Sequence, residues 1–168
     1  GLTKADFVII SILPGSFDEM SSDVHTPEQY GIYQSVGDTT GPGGLFRALR
    51  IVPMYNVIAN AIRDYAPDAW VINYTNPMAV CTRSLYETFP QIKAFGCCHE
   101  VFGTQRVLLA AIKALLGKDV RRQELRTNVL GVNHFTWITQ ASLNGTDLFP
   151  IYRQFIEDCG KNGYCATD

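Results

Sequence analysis

The chain of 168 residues has no long apolar stretch, no excess of charge of either sign and no even set of cysteines. Its longest hydrophobic runs have the length of strands and contain polar interruptions, so we predict no bilayer-spanning segment, and no charged-then-apolar signal peptide opens the chain. The net charge of −2, with acids and bases scattered, indicates neither a nucleic-acid stripe nor a polybasic membrane patch. We therefore expect a cytoplasmic protein that binds neither nucleic acid nor membranes.

The cysteines are odd in number and follow no secretion signal, which argues against a disulfide framework. They are Cys81, Cys97, Cys98, Cys159 and Cys165. Cys159 and Cys165 could pair under oxidising conditions, but reduced thiols fit the expected compartment better.

Apolar runs of strand length alternate with stretches of helical periodicity, and 46% of the residues are hydrophobic, which is enough to bury a core. This alternation predicts a parallel α/β sheet with right-handed crossovers, in which ligands bind at the carboxyl ends of the strands. The predicted strands are Ala5–Leu13, Ala69–Tyr74 and Ile92–Cys98, and the predicted helices are 45–65, 77–89 and 101–116.

Three features refine this pattern. The continuous apolar run of the first strand is typical of burial on both faces, and Pro14-Gly15 at its end is a candidate ligand rim. Ser16–Gly44 is rich in Gly, Asp, Ser and Thr, which predicts a long and functional loop. Pro53 is predicted to kink or divide the helix that contains it, and Gly117 to end the last helix of the series.

The rhythm changes after residue 117. Asn128–Leu143 alternates aromatic and β-branched residues with polar ones, and Asn144-Gly145 is a strong turn pattern. We expect this part to leave the parallel sheet and to be followed by a helix over Asp147–Cys159.

Polar clusters stand at three predicted strand ends, Asn76-Pro77, Cys98-His99-Glu100 and Asn133-His134. Sulfur and imidazole donors far apart in sequence fit a metal site, but a buried cysteine is more often a small hydrophobe and a lone histidine more often a satisfied polar residue. Asn-Pro is also an ordinary helix start, and Glu100 suits the first turn of a helix. The residues alone leave both interpretations open.

Five segments between Ala5 and Trp137 resemble glycoside hydrolase family 4 in their order and approximate spacing. They are ADFVIISILPGSF, EQYGIYQSVGDTTGPGGLFRALR, NYTNPMAV, GCCHEVFGTQ and GVNHFTW. The combination is highly specific, whereas no single segment would suffice.

The resemblance implies a dinucleotide-binding fold similar to that of lactate and malate dehydrogenases, which uses NAD and usually manganese. In the family, the cysteine of GxCH and the histidine of GxNH bind the metal, and these motifs fall on Cys98 and His134. The asparagine of TNP, here Asn76, is carried over as a contact to sugar and cofactor. Asn133 is a further candidate for substrate binding, and Pro14-Gly15 for cofactor binding.

The implied chemistry is redox-assisted elimination. NAD takes a hydride from sugar C3, the C2 proton becomes acidic, the C1 group leaves, and water and the hydride are then added back. His99 is a candidate to protonate the departing group, although a role in orienting the backbone or a metal ligand is equally open. The motif CHEV, Cys98–Val101, resembles the branch that acts on α-glucuronides or α-galacturonides, whereas CHSV is similar to α-galactosidases.

We therefore expect residues 1–117 to form the later part of a Rossmann-like NAD-binding domain, without its first βαβ unit. Residues 118–168 should begin an α+β catalytic domain, and the intact enzyme should be a homo-oligomer. The glycine-rich turn for the NAD pyrophosphate and the catalytic tyrosine of the family are not identified in this chain. The alternatives are an α-galactosidase of the same family, a hydroxyacid dehydrogenase-like enzyme, and an inactive binding module.

Overall fold

A computed structural model describes residues 1–34, 37–160 and 163. The chain divides into two compact units, Gly1–Cys98 and His99–Asp168. The assignment of residues 1–117 to NAD binding and 118–168 to catalysis concerns roles rather than compactness, and it stays a prediction.

The first unit is a parallel α/β sheet, as predicted. Its strands lie in the order β1-β2-β3, and both neighbouring pairs are parallel. Its elements are β1 (Phe7–Ile10), α1 (Phe17–His25), a 3-10 helix (Thr26–Tyr30), α2 (Gly41–Tyr65), β2 (Trp70–Asn73), α3 (Met78–Thr88) and β3 (Lys93–Gly96).

The structure corrects two details predicted for the first unit. Ser16–Gly44 is not one long loop, because Ser16 and Glu19 form a reciprocal capping box that starts α1. Pro53 does not divide α2, which is continuous over 25 residues, and the alternative of a kink at Pro53 stays a prediction. An interior proline removes only one backbone donor, and we attribute the helix's continuity to the buried residues Ile51 and Tyr55 on either side of Pro53.

The first strand is also less buried than its composition suggested. Residues of α2 and α3 share one core with one face of the sheet, which includes Ile10, Val71 and Ala94. Side chains alternate between the faces of a strand, so Phe7 and Ile9 point the other way and are 66% and 65% exposed. Within the described residues β1 is therefore buried on one face only, which differs from the predicted burial on both faces.

A buried polar network joins the carboxyl ends of β1 and β2. The fully buried Asn73 side chain accepts hydrogen bonds from the Tyr55 hydroxyl and, at 3.0 Å, from the Thr75 amide, and it donates to the Thr75 carbonyl at 3.1 Å. Thr75 Oγ1 in turn accepts from the amide of Ile12 at 2.9 Å. These bonds fix the backbone immediately after both strands.

Burial also determines the ionisation of two groups beside this network. Burial raises the pKa of the Cys81 thiol to about 11, so Cys81 is a neutral core residue at physiological pH. Burial likewise raises the pKa of Tyr55, whose hydroxyl stays protonated and donates to Asn73. None of the described cysteines, Cys81, Cys97, Cys98 and Cys159, forms a disulfide, and Cys165 lies outside the described residues.

The second unit packs helices against a separate antiparallel sheet, as predicted. A bulge at Asn128/Val129 interrupts the register of the first strand pair, and Asn144-Gly145 forms the turn before the last strand. Leu108, Ile112 and Leu125 belong to its core. Its elements are α4 (Glu100–Leu116), a 3-10 helix (Arg122–Glu124), β4 (Leu125–Val132), β5 (Phe135–Leu143), β6 (Thr146–Asp147) and α5 (Phe149–Cys159).

Gly117 ends α4 in the left-handed conformation, as predicted. Among the described residues, none of the helices combines the length and the apolar content that crossing a membrane requires.

We predict that Tyr55→Phe lowers the free energy of unfolding by about 1–3 kcal/mol, because the buried Asn73 oxygen loses a donor that water cannot replace. Tyr65→Phe is the matched control, since Tyr65 lies on the same helix and is 61% exposed. Urea unfolding followed by circular dichroism measures both variants. Equal stability of the two variants would contradict the role assigned to the network.

Candidate functional site

Asn76 directly follows the buried network at the end of β2 and is held from two sides. Its Nδ2 donates to Asp38 Oδ2 at 3.1 Å, and its backbone carbonyl accepts from Arg47 Nε at 3.1 Å. Asp38 Oδ1 also accepts from Thr39 Oγ1 at 2.9 Å. These contacts fix the amide plane of Asn76, as a residue that recognises a ligand through hydrogen bonds requires.

Asp38 belongs to the segment Gly37–Gly44, which leads into the first turn of α2, and Gly43 and Gly44 are required there by close packing. A Cβ on Gly44 would lie 2.5 Å from the backbone carbon of Thr39, and one on Gly43 would lie 2.6 Å from the carbonyl oxygen of Asp23. Gly43 N also donates to Gln34 Oε1 at 2.9 Å. This segment therefore determines where Asp38 meets Asn76.

Pro14 and Gly15 follow β1 at the same carboxyl-terminal edge of the sheet. Gly15 has a φ of +93°, and a Cβ there would lie 2.7 Å from Glu19 Oε2, so the position favours glycine. Arg50 Nε donates to the Pro14 carbonyl at 3.4 Å. The hydrogen-bonded ion pair with Asp23 raises the pKa of Arg50 and holds it in its cationic form. Helix α2 thus contacts both strand ends, through Arg47 and Arg50.

The N-terminus of α4 carries His99 and Glu100. His99 is the exposed N-cap residue, and its side chain makes no capping hydrogen bond. Glu100 is the first helical residue, where side chains point back toward the N-terminus. Its carboxylate Oε2 accepts from the backbone amide of His134 at 3.0 Å, and Oε1 accepts from Thr136 Oγ1 at 3.1 Å.

Asn133 and His134 form the turn between β4 and β5. Gly131 has a φ of +104°, and a Cβ there would lie 2.3 Å from the Phe135 carbonyl oxygen, which explains the glycine of GxNH. His134 adopts a φ of +60°, which is uncommon for a residue with a side chain. Within the described part of the chain, Asn133 Oδ1 is buried without a hydrogen-bond partner.

Cys98, Glu100 and His134 each offer one potential ligand atom, and these three atoms lie within 4.8 Å of one another. Cys98 lies two residues before Glu100 in the sequence. The hydrogen bonds that Glu100 accepts hold the turn that carries His134. This separation meets the limit of roughly 5 Å that we expect for two side chains able to share one ion. Thiolate, carboxylate and imidazole are all metal-ligating groups.

Comparison with known proteins places this chain in a family. The model of the family 4 glycosyl hydrolases matches residues 1–114, and the model of the family 4 glycosyl hydrolase C-terminal domain matches residues 129–167. The chain belongs to family 4 of the glycosyl hydrolases. The spacing of its motifs over Ala5–Trp137 had indicated the same family.

The chain is more similar to two α-galacturonidases than to an α-galactosidase. It is 64% identical to the α-galacturonidase of Thermoanaerobacter italicus over 97% of its own length and 36% of the relative. The α-galacturonidase of Bacillus subtilis is also 64% identical, over 97% of this chain and 37% of the relative. The α-galactosidase of B. subtilis is 35% identical over 89% and 33%. The chain therefore spans little more than a third of the length of these relatives.

Solved structures agree with this family and with the predicted fold. A B. subtilis crystal structure, described as a candidate glucosidase, matches with a TM-score of 0.91 and 63% identity over 98% of this chain and 38% of the other. A 6-phospho-α-glucosidase from gut microorganisms, solved with NAD and Mn²⁺, matches at a TM-score of 0.77 and 27% identity over 94% and 34%. The lactate dehydrogenase of Eimeria maxima, at a TM-score of 0.54 and 21% identity over 94% and 40%, shows the shared Rossmann-like fold alone.

Two residues with these contacts, Asp38 and Glu100, were not among the candidates chosen from the sequence. Asp38 stands in GDTTGPGG, and the density of glycines there was the only sign that its position is constrained. Glu100 was noted as a helix-start residue, and its distance in sequence from the 133–136 turn hid the hydrogen bonds that it makes there.

We predict that Gly44→Ala lowers the free energy of unfolding by about 1–3 kcal/mol, because the added methyl group overlaps the backbone of Thr39. Gly103→Ala is the matched control. No heavy atom lies within 4 Å of a Cβ at Gly103, inside α4, so alanine should stabilise the helix by about 0.5–1 kcal/mol. Chemical unfolding measures both, and effects of the same sign would contradict the packing described for this segment.

Proposed function

We propose that the full-length protein is an NAD- and divalent-metal-dependent glycoside hydrolase that acts on α-linked galacturonides. The observation that carries this proposal is the gap between 64% identity to α-galacturonidases and 35% to an α-galactosidase of the same family. The sequence alone left galacturonide and glucuronide undecided, and the names of these relatives favour the galacturonide.

Cys98 and His134 are the proposed ligands of the metal. The proximity of their ligand atoms supports this assignment, as does the donor chemistry of a thiolate and a neutral imidazole. Mn²⁺ is the proposed ion, because a related 6-phospho-α-glucosidase was solved with it. A bound divalent ion would supply Lewis-acid polarisation of sugar oxygens.

NAD is the proposed cofactor, and it would supply reversible hydride transfer. Pro14, Gly15 and Asn76 follow β1 and β2 at the carboxyl-terminal edge, where dinucleotides bind in sheets of this type. The Gly15 backbone conformation and the fixed amide of Asn76 fit a cofactor that approaches the main chain closely.

Asn133 and Asn76 are the proposed contacts to the sugar. Asn133 Oδ1 is a buried acceptor without a described partner, and a sugar hydroxyl could donate to it. His99 is the proposed proton donor to the departing group, because its imidazole is exposed at the start of α4 and is not used for capping.

Two other functions would leave different signatures. A hydroxyacid dehydrogenase would accumulate NADH in proportion to product and would not need a metal, so adding a chelator discriminates it. A binding module without activity would bind sugar without turnover. A cytoplasmic location and a homo-oligomeric assembly complete the proposal.

We predict that the full-length protein hydrolyses an aryl α-galacturonide faster than the matching α-galactoside and α-glucuronide. Hydrolysis should require NAD and a divalent metal, yet produce no net NADH. In heavy water, deuterium should enter C2 of the released sugar, because the C2 hydrogen is removed and replaced during turnover. Mass spectrometry and NMR of the product measure the exchange.

Direct displacement at C1 has no reason to exchange the hydrogen at C2. Full activity without NAD, or product that carries no deuterium at C2, would therefore disprove the proposed chemistry. Preference for the galactoside would reject the substrate but leave the reaction type in place.

A further inference from the structure

The Glu100 carboxylate lies beside the proposed metal ligands Cys98 and His134, and the assignment of those two ligands gives Glu100 no role of its own. We propose that Glu100 is a third donor to the divalent ion and at the same time the residue that positions His134. The inference rests on the proposed function, because it assumes that Cys98 and His134 bind the ion.

The geometry allows one carboxylate to serve both purposes. Each of its oxygens accepts one hydrogen bond, from the His134 amide at 3.0 Å and from Thr136 Oγ1 at 3.1 Å. A carboxylate oxygen has two lone pairs, so it can accept a hydrogen bond and bind an ion at the same time. One of these oxygens also lies within 4.8 Å of the ligand atoms of Cys98 and His134.

The charge balance of the site favours the same assignment. Glu100 stands at the N-terminus of α4, a helix of 17 residues. The helix dipole places partial positive charge there, which disfavours a cation. A Cys98 thiolate alone would have to offset both this partial charge and the charge of the ion. The Glu100 carboxylate adds a second negative charge at the first helical residue, where acidic side chains are stabilised.

The hardness of the donor atoms predicts which ion Glu100 helps to bind. A thiolate favours soft ions, whereas Mn²⁺ prefers oxygen ligands, so a site with sulfur and imidazole alone is poorly matched to manganese. A carboxylate oxygen shifts the set toward Mn²⁺. The same reasoning predicts that loss of Glu100 weakens Mn²⁺ more than a soft ion such as Cd²⁺.

The experiment compares Glu100→Gln with the parent in the full-length protein, with Mn²⁺ or Cd²⁺ as the only added ligand. Glutamine can preserve both contacts, since its carbonyl accepts from the His134 amide and its amide donates to Thr136 Oγ1. It removes the charge and one oxygen. Electron paramagnetic resonance of free Mn²⁺ and calorimetry with Cd²⁺ measure the two affinities without any turnover.

We expect Glu100→Gln to weaken Mn²⁺ binding by about tenfold or more, and Cd²⁺ binding by a smaller factor. The matched control is Glu157→Gln, which removes the same charge from an exposed position on α5 and should leave both affinities unchanged. Unchanged Mn²⁺ affinity in Glu100→Gln, or equal losses for the two ions, would overturn the proposal and leave Glu100 as a support of the turn alone.

Cys98→Ser and His134→Ala separate this result from the proposed function. If neither variant changes Mn²⁺ affinity, the metal site itself is wrong, whereas loss in both with no effect of Glu100→Gln rejects only the third donor. If Glu100→Gln does not fold, Glu100→Asp replaces it, because the shorter side chain keeps the charge but withdraws the carboxylate. A change in the ratio of Mn²⁺ to Cd²⁺ affinity then supports the proposal, and a constant ratio overturns it.

Discussion

The buried side chain of Asn73 is the constraint on which the strand-end edge of the first unit depends. Its amide group satisfies the Tyr55 hydroxyl and both backbone groups of Thr75, and Thr75 then bonds to Ile12 beyond β1. A buried polar group without partners would be costly, so these bonds form together or the core opens. The chain leaves this network directly into Asn76. The position of a candidate ligand-binding residue is therefore determined by hydrogen bonds inside the core.

Helix α2 extends this constraint from the core to the edge. The helix buries Ile51, Tyr55 and Ile62 against the sheet, while Arg47 and Arg50 near its start reach the carbonyls that follow β2 and β1. The glycine-rich segment Gly37–Gly44, which leads into the first turn of α2, places Asp38 against the Asn76 amide. Packing and recognition are thus functions of one continuous segment, from residue 37 to residue 65.

The order of the elements was predictable from the sequence because it depends on local periodicity and on strong turn residues such as Gly117 and Asn144-Gly145. The misses have physical causes. The α1 helix was hidden by polar composition, although the Ser16–Glu19 capping pattern was present. The exposure of Phe7 and Ile9 depends on which elements cover a sheet face, and a strand's own composition does not contain that information.

The candidate site residues divide in the same way. Cys98 and His134 were chosen because their motifs are short and specific, and Asn76 because it stands in TNP. Asp38 and Glu100 act through side chains that reach residues 38 and 34 positions away in sequence, and no local pattern encodes those partners. Residues that orient other residues are therefore harder to recognise from sequence than the residues they orient.

The attachment of Glu100 to the turn between β4 and β5 also bears on how this family can diverge. The motif CHSV, which is similar to α-galactosidases, has serine at the position of Glu100. A serine side chain is too short to make both of the contacts that glutamate makes with His134 and Thr136. Exchange of this one residue would therefore remove both contacts with the turn. We expect the residue at position 100 and the residues at 133–136 to vary together among relatives.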